Sequence, residues 1–317
     1  MARIVVAEPV ASEGLALLRE AGHELLDLSG ASAEALSGAL ATADALVVRS
    51  QVRVDADLIA KAPRLQVIGR AGVGTDNIDG VAASAHKITV VNAPAGNTIA
   101  AAEHTMALLL GIARNIAPAD RSMRGGAWER TSLRGFELNG KSIGIVGFGR
   151  VGRAVATRAA AFGMTVLAHD PIVAAAEISA AGATPLALDE LLVRSDVVTL
   201  HAPAARGVEA LIGAREIAMM RRSAVLINVA RGALVDEAAL AAALADGSIA
   251  GAAIDVFASE PPVGSPLLAS PRTLLTPHLG ASTAEAQIAV AVEMAEDRKS
   301  TRLNSSHITI SYAVFCL

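Results

Sequence analysis

One stretch constrains this chain more than any other: residues 142–156, SIGIVGFGRVGRAVA. The apolar run Ile143–Val146 predicts a buried strand, and Gly147, Gly149 and Gly152 follow it in the pattern G-x-G-x-x-G. An alanine-rich helical stretch then runs to about Phe162, and a second strand, Met164–Ala168, leads to Asp170. That acid lies 18 residues beyond Gly152, close to the ~20 of a dinucleotide-binding βαβ unit. Gly147 permits the tight turn, Gly149 lets backbone approach a pyrophosphate, and Gly152 lets helix and strand pack closely. The helix then aims free N–H groups and its positive dipole end at the phosphates. Asp170 is placed to accept from ribose hydroxyls. Three glycines alone would be only a turn; strand, helix and acid together predict a dinucleotide site.

The same alternation runs along the whole chain. Strands are expected at Arg3–Ala7, Glu24–Leu28, Ala45–Val48, Gln66–Gly69 and Ile88–Val91, with helices such as Ser12–Ala21 and Ser32–Ala41 between them. Such a pattern predicts a parallel sheet covered on both faces. From Ile143 to Leu275 six further strands are expected: 143–146, 164–168, 197–200, 224–228, 250–254 and 273–275. The fold class is therefore α/β with two doubly wound parallel sheets. A helix over residues 98–114 leads into the second domain, and Ser282 with Glu285 forms a capping box for a final helix toward Glu296. Gly135–Ser142 fits G-x-x-x-x-G-K-[ST], but it precedes a strand instead of opening a helix, which excludes a P-loop.

Ligands in such sheets bind beyond the carboxyl ends of the strands. Arg231, Glu260 and His278 each follow a different strand of the second sheet, so they are able to converge. Oxidising a carbinol next to a carboxylate needs an anion clamp, which suits the planar guanidinium of Arg231. It needs a base that is neutral near pH 7, which suits His278, and a carboxylate to support the imidazolium, which suits Glu260. Each has a plainer reading: surface charge for the arginine, a turn before Pro261-Pro262 for the glutamate, an ordinary histidine for the third. His23, His86, His104 and His169 read as structural, His201 as a residue lining the cleft, and His307 lies in the tail. The first sheet offers Arg49-Ser50 and the loop 69–76, whose glycines bring backbone N–H groups near a small anion.

Composition removes several classes. A net charge of −4 gives no support for a nucleic-acid or membrane-surface partner. The chain enters a strand at Arg3 with no signal-peptide pattern, and the apolar helix of residues 98–114 contains Glu103 and His104 and is too short for a bilayer. Cys316 is the single cysteine, so no internal disulfide framework exists. No metal site is expected. A cytoplasmic protein is.

Taken together, the motifs resemble the D-isomer-specific 2-hydroxyacid dehydrogenase family. The segments that carry the resemblance are Val48–Ser50, Gly69–Gly74, Asp76-Asn77, Asn92–Pro94, Gly96-Asn97, Ala100–His104, Trp128–Arg130, Gly147–Gly152, Asp170-Pro171, Asn228–Gly232, Ala253–Phe257, Glu260–Pro262 and Pro277–Thr283 with Glu285. The resemblance implies a flavodoxin-like substrate domain over residues 1–97, completed by a helix over 283–296, and a Rossmann NAD-binding domain over 98–282. It implies His278 as acid/base, Glu260 as its partner and Arg231 as substrate clamp. NAD contacts are implied at Val73, Gly147, Gly149, Arg150, Val151, Gly152, Asp170, Ala202, Val229, Ala230, Arg231, Asp255, His278 and Gly280. Substrate contacts are implied at Arg49, Ser50, Val73, Gly74, Asn97 and Arg231. The implied reaction is NAD-dependent oxidation of 3-phospho-D-glycerate by a homodimer or homotetramer. Reduction of glyoxylate or hydroxypyruvate is a neighbouring activity, and an NAD-sensing corepressor is a non-enzymatic alternative. Residues 297–317 break the alanine-rich composition and resemble a translated sequencing adapter, so they are read as a non-native tail on a shortened chain.

Overall fold

The computed structural model describes residues 1–204 and 209–303, with side chains to residue 296 and without those of 205–208. The side chains of the tail expected at 297–317 therefore lie outside the described residues. The chain divides into two compact units, residues 1–97 with 283 onward, and residues 98–282.

The first unit holds β1 (Arg3–Val6), α1 (Ser12–Glu20), β2 (Glu24–Asp27), α2 (Ala33–Leu40), β3 (Ala45–Val48), α3 (Ala56–Ala60), β4 (Val67–Arg70), α4 (Gly80–Ala85) and β5 (Thr89–Val91). All strands pair in parallel, in the order β2-β1-β3-β4-β5. That is the flavodoxin-like order. Strand β3 lies at the centre and every one of its residues is buried, as an unbroken apolar run requires when helices cover both faces. Val5, Leu46, Val48 and Ile68 pack on one face with Leu36, Leu40 and Ile59 from α2 and α3. Ile4, Val6, Ala45 and Val47 pack on the other with Leu15 and Leu18 of α1. Val290 and Met294, from the final helix α12 (Ala284–Leu303), complete that second layer. The cap of α12 differs from expectation by one residue. Thr283, not Ser282, accepts from the N–H of Ala286 at 3.1 Å.

The second unit opens with α5 (Thr98–Ala113) and α6 (Ile116–Arg124), then β6 (Ser142–Val146), α7 (Arg150–Ala161), β7 (Thr165–His169), α8 (Ala175–Ala180), β8 (Thr184–Pro185), α9 (Leu188–Arg194) and β9 (Val197–Leu200). It continues with α10 (Ala214–Met219), β10 (Val225–Asn228), α11 (Glu237–Asp246), β11 (Gly251–Ile254) and β12 (Thr273–Leu275). The sheet is again parallel, ordered β12-β11-β10-β9-β6-β7-β8. Among the described residues this sheet has seven strands where the sequence suggests six. The extra one, β8, has two residues, one of them Pro185. Proline cannot donate to a ladder, so it is confined to an edge such as this. Alternate residues face opposite layers: Ile143 and Ile145 pack with α5 and α7, while Val146 and Leu200 pack toward α9, α10 and α11. The chain leaves β6 for β7 on one side and later returns to β9 on the other, so the topological switch point lies between β6 and β9. No helix among the described residues is long and apolar enough to cross a membrane.

Candidate functional site

The switch point is where the glycine motif lies. Gly147 has φ +93, and a Cβ there would stand 2.6 Å from the N of Ala202 at the end of β9. A Cβ on Gly152 would stand 2.2 Å from the carbonyl oxygen of Gly147, so the helix presses directly on the turn. Gly149, by contrast, faces open space, with nothing within 4 Å of an added Cβ. It caps α7 without a side-chain hydrogen bond, so the helix begins with bare N–H groups. A tight turn, an open face and a free helix N-terminus are what a pyrophosphate requires. Arg150 and Val151 form the first turn of that helix.

Asp170, just beyond β7, turns its carboxylate back on the motif. Its Oδ2 accepts from Phe148 N at 2.7 Å, and its Oδ1 accepts from Ile172 N at 2.8 Å and Val173 N at 3.0 Å. Burial opposes its charge, but these three N–H donors outweigh burial and hold the carboxyl below its usual range. The acid is therefore ionised at neutral pH. Ala202 follows β9, against Gly147 of the turn after β6, and burial pushes the pKa of the neighbouring His201 down to about 3, so that imidazole is neutral.

Arg231, Glu260 and His278 follow β10, β11 and β12, three adjacent strands, and their loops share one edge. His278 Nδ1 lies 2.7 Å from Glu260 Oε2. The other oxygen, Oε1, accepts from Phe257 N at 3.1 Å, which orients the carboxylate. That hydrogen bond and the charge of Glu260 raise the imidazole pKa above its ordinary value, against burial and the charge of Arg231. Burial also opposes ionisation of Glu260, and the bond to His278 overrides it, so its pKa is lowered. With Nδ1–H donated to Glu260, Nε2 is the nitrogen left to exchange a proton with a ligand. Arg231 is set by Asn228, a buried residue whose amide donates to the Arg231 carbonyl at 2.8 Å and whose Oδ1 accepts from Ala230 N at 3.0 Å. Its guanidinium donates to the Ala230 carbonyl at 2.6 Å. Val229 and Ala230 lie in the same turn.

Asp255, expected among the cofactor contacts, is fully buried and spends its carboxylate on the loop that carries His278. Oδ1 accepts from Leu279 N at 2.7 Å and Oδ2 from Gly280 N at 2.9 Å. Thr276 donates its hydroxyl to Oδ1 at 2.6 Å, and His104 Nε2 lies 3.1 Å away. Burial opposes the charge; His104, Thr276 and Leu279 outweigh it and keep the pKa low. His104, read from sequence as structural, thus belongs to the surroundings of the site.

The remaining residues lie at the carboxyl edge of the first sheet. Arg49 and Ser50 follow β3, and Val73 and Gly74 follow β4. Glu8, buried beyond β1, accepts from the N–H groups of Arg49, Gln51 and Val52 at 2.6, 2.9 and 3.2 Å. Asn77 joins the two loops, donating to the carbonyls of Arg49 at 3.0 Å and Val52 at 2.7 Å. Asn92 donates to the Val73 carbonyl at 2.5 Å. Asn97 is the last residue before α5. Glu8 gave no signal in the sequence, because an acid after a strand is ordinary until its three partners are seen.

Residues 106–280 match the family of D-isomer specific 2-hydroxyacid dehydrogenase, NAD binding domain. The chain is 46% identical over 296 residues to the D-3-phosphoglycerate dehydrogenase of Archaeoglobus fulgidus, covering 93% of this chain and 56% of that one. The chain thus spans about half the length of the curated relatives it matches. Among solved structures it resembles a glyoxylate reductase from Paecilomyes thermophila, with a TM-score of 0.85, 30% identity and 95% of each chain covered. It also resembles the NAD-dependent formate dehydrogenase from Staphylococcus aureus in complex with NAD, with a TM-score of 0.83, 32% identity and 95% of each chain covered.

Proposed function

The chain belongs to the D-isomer specific 2-hydroxyacid dehydrogenase family, and from that premise we propose that it oxidises 3-phospho-D-glycerate to 3-phosphooxypyruvate, the opening step of phosphorylated serine biosynthesis. In this reading residues 98–282 hold NAD and residues 1–97, with the helix from 283 to 296, hold substrate. A cytoplasmic homodimer or homotetramer is part of the same proposal. The observation that carries it is the 2.7 Å bond between His278 and Glu260. A protein that only sensed NAD would have no use for a paired acid/base.

The turn of Gly147, Gly149 and Gly152 with Asp170 would hold NAD, which would supply the hydride acceptor for carbon 2 of the substrate. The residues supply the rest. His278 Nε2 takes the hydroxyl proton as the C–H bond breaks and the C–O bond becomes a carbonyl. Glu260 steadies the imidazolium formed, so the proton does not have to leave at once. Arg231 holds the substrate carboxylate through its planar fork. In the reducing direction the same imidazolium returns the proton to the new alkoxide oxygen.

Phosphate is assigned to Arg49, with Ser50 beside it. Both sit in the loop that Glu8 and Asn77 hold rigid, and Arg231 is already committed to the carboxylate. Arg49→Ala should cost about 2–5 kcal/mol of kcat/KM for 3-phospho-D-glycerate, as when one partner of a charge pair is removed. It should cost little for an unphosphorylated 2-hydroxy acid. The measurement is the ratio of the two losses. A ratio near one removes Arg49 from the phosphate site. A wild-type enzyme indifferent to the phosphate would favour the second reading, glyoxylate reduction, which the likeness to the Paecilomyes thermophila enzyme supports.

A further inference from the structure

His278 has φ +54, a left-handed conformation uncommon for any residue but glycine. Such a conformation persists only where its surroundings hold it. Here the holding group is Asp255. Its carbonyl accepts from His278 N at 2.8 Å. Its carboxylate accepts from Leu279 N, Gly280 N and the Thr276 hydroxyl. Every one of these donors lies within two residues of His278, so a single buried side chain grips both sides of the turn that presents the imidazole.

His104, on α5, approaches the same carboxylate from another element. Its Nε2 lies 3.1 Å from Asp255 Oδ1 and 3.2 Å from Thr276 Oγ1. The threonine has already given its proton to Asp255, and an ionised carboxylate has none to give. His104 must therefore carry a proton on Nε2 and donate it to the carboxylate. We propose that His104 is a positioning residue for the reaction: its Nε2–H fixes the Asp255 carboxylate, which in turn fixes the backbone that aims His278 at Glu260 and at the substrate. The proposal rests on the reading of His278 as the acid/base. The charged groups that act on His278 are Glu260, Asp255 and Arg231, and His104 acts on it only through Asp255.

The topology of the imidazole supplies a sharp test. A glutamine amide nitrogen sits as many bonds from Cα as Nε2 does, and an asparagine amide nitrogen as many as Nδ1. His104→Gln should preserve the donor to Asp255, and His104→Asn should lose it. In the full chain, without NAD or substrate, the ring of His278 is titrated by NMR. His104→Asn should move that titration down by roughly half a unit or more, because a loosened turn weakens the bond to Glu260. His104→Gln should leave it near the wild-type position, and Thr276→Val, which removes the neighbouring donor, should lower it as His104→Asn does. In turnover, His104→Asn should lower kcat by about 10-fold or more with KM and NAD affinity changed less than about 3-fold, the pattern of an interaction that matters in the transition state. An unmoved His278 titration in His104→Asn overturns the proposal. So does a glutamine variant that falls as far as the asparagine one. If the wild type shows no turnover while the titration still separates asparagine from glutamine, the positioning role stands and the dehydrogenase reading fails.

Discussion

At the scale of single residues, the proposed acid/base pair His278 and Glu260 should set the pH behaviour. Oxidation needs a neutral imidazole, and Glu260 raises the His278 pKa, so the oxidation rate should fall as pH drops through that raised value. Glu260→Gln removes the charge, and this acid limb should move to lower pH. Reduction needs the imidazolium, so its alkaline limb should move down as well. Rate profiles in both directions that stay in place would dissolve the pairing. The linkage to stability has the same origin. The pair is ionic only above the lowered pKa of Glu260 and below the raised pKa of His278, so its contribution is lost on leaving that window at either side. His278→Ala should cost about 10²–10⁴-fold in kcat, the usual share of a positioned acid/base. These residues were legible in the sequence because each follows a strand end, where ligand chemistry gathers. His104 was not. Its partner Asp255 is 151 residues away, and although Ala100–His104 belongs to the segments of the resemblance, nothing on an alanine-rich helix names a carboxylate on another element as its partner.

At the scale of elements, the turn from β6 into α7 makes two different demands on neighbouring glycines. Gly152 presses on backbone: an added Cβ would stand 2.2 Å from the Gly147 carbonyl, which belongs to a turn pinned at φ +93. Gly149 faces open space, with φ −74, which any residue accepts. Gly152→Ala should therefore destabilise the fold by about 1–3 kcal/mol, the cost of overpacking a site that cannot yield. Gly149→Ala should leave stability within about 0.5 kcal/mol yet weaken NAD binding, because its methyl group enters the space a pyrophosphate needs. Thermal unfolding and NAD affinity measured on both variants separate the two roles; equal loss of stability in both would refute the distinction. The same physics decided which elements could be read in advance. Strands of four or five apolar residues, buried on both faces, announce themselves. Strand β8 does not, with two residues and a proline at the sheet edge. Helix α6 does not either: it is nine residues long, carries Pro118 and buries none of its residues, so its pattern marks no core.

For the whole molecule, the two sheets differ in what they do with the same plan. The five-stranded sheet has no glycine fingerprint, and what it offers at its carboxyl edge is a loop held by Glu8 and Asn77. The seven-stranded sheet carries both the fingerprint and the three polar residues on adjacent strands, so the residues proposed to hold the dinucleotide are concentrated in one unit. Ligand binding to the folded state alone stabilises the chain, by about 2.7 kcal/mol at a concentration 100 times Kd. For a unit of this size each kcal/mol raises Tm by about 2–4 °C, so saturating NAD should lift the unfolding transition by several degrees. NADP at the same concentration should not. Its extra 2′-phosphate would meet Asp170, whose carboxyl three backbone N–H donors keep ionised at neutral pH, and Pro171 rather than an arginine follows it. Like charges brought together act as a repulsive element against the phosphorylated cofactor. Calorimetry with each cofactor in turn measures this without any assumption about substrate. Equal shifts with NAD and NADP would mean that Asp170 does not face the ribose, and the assignment of the adenosine side of the site would have to be withdrawn.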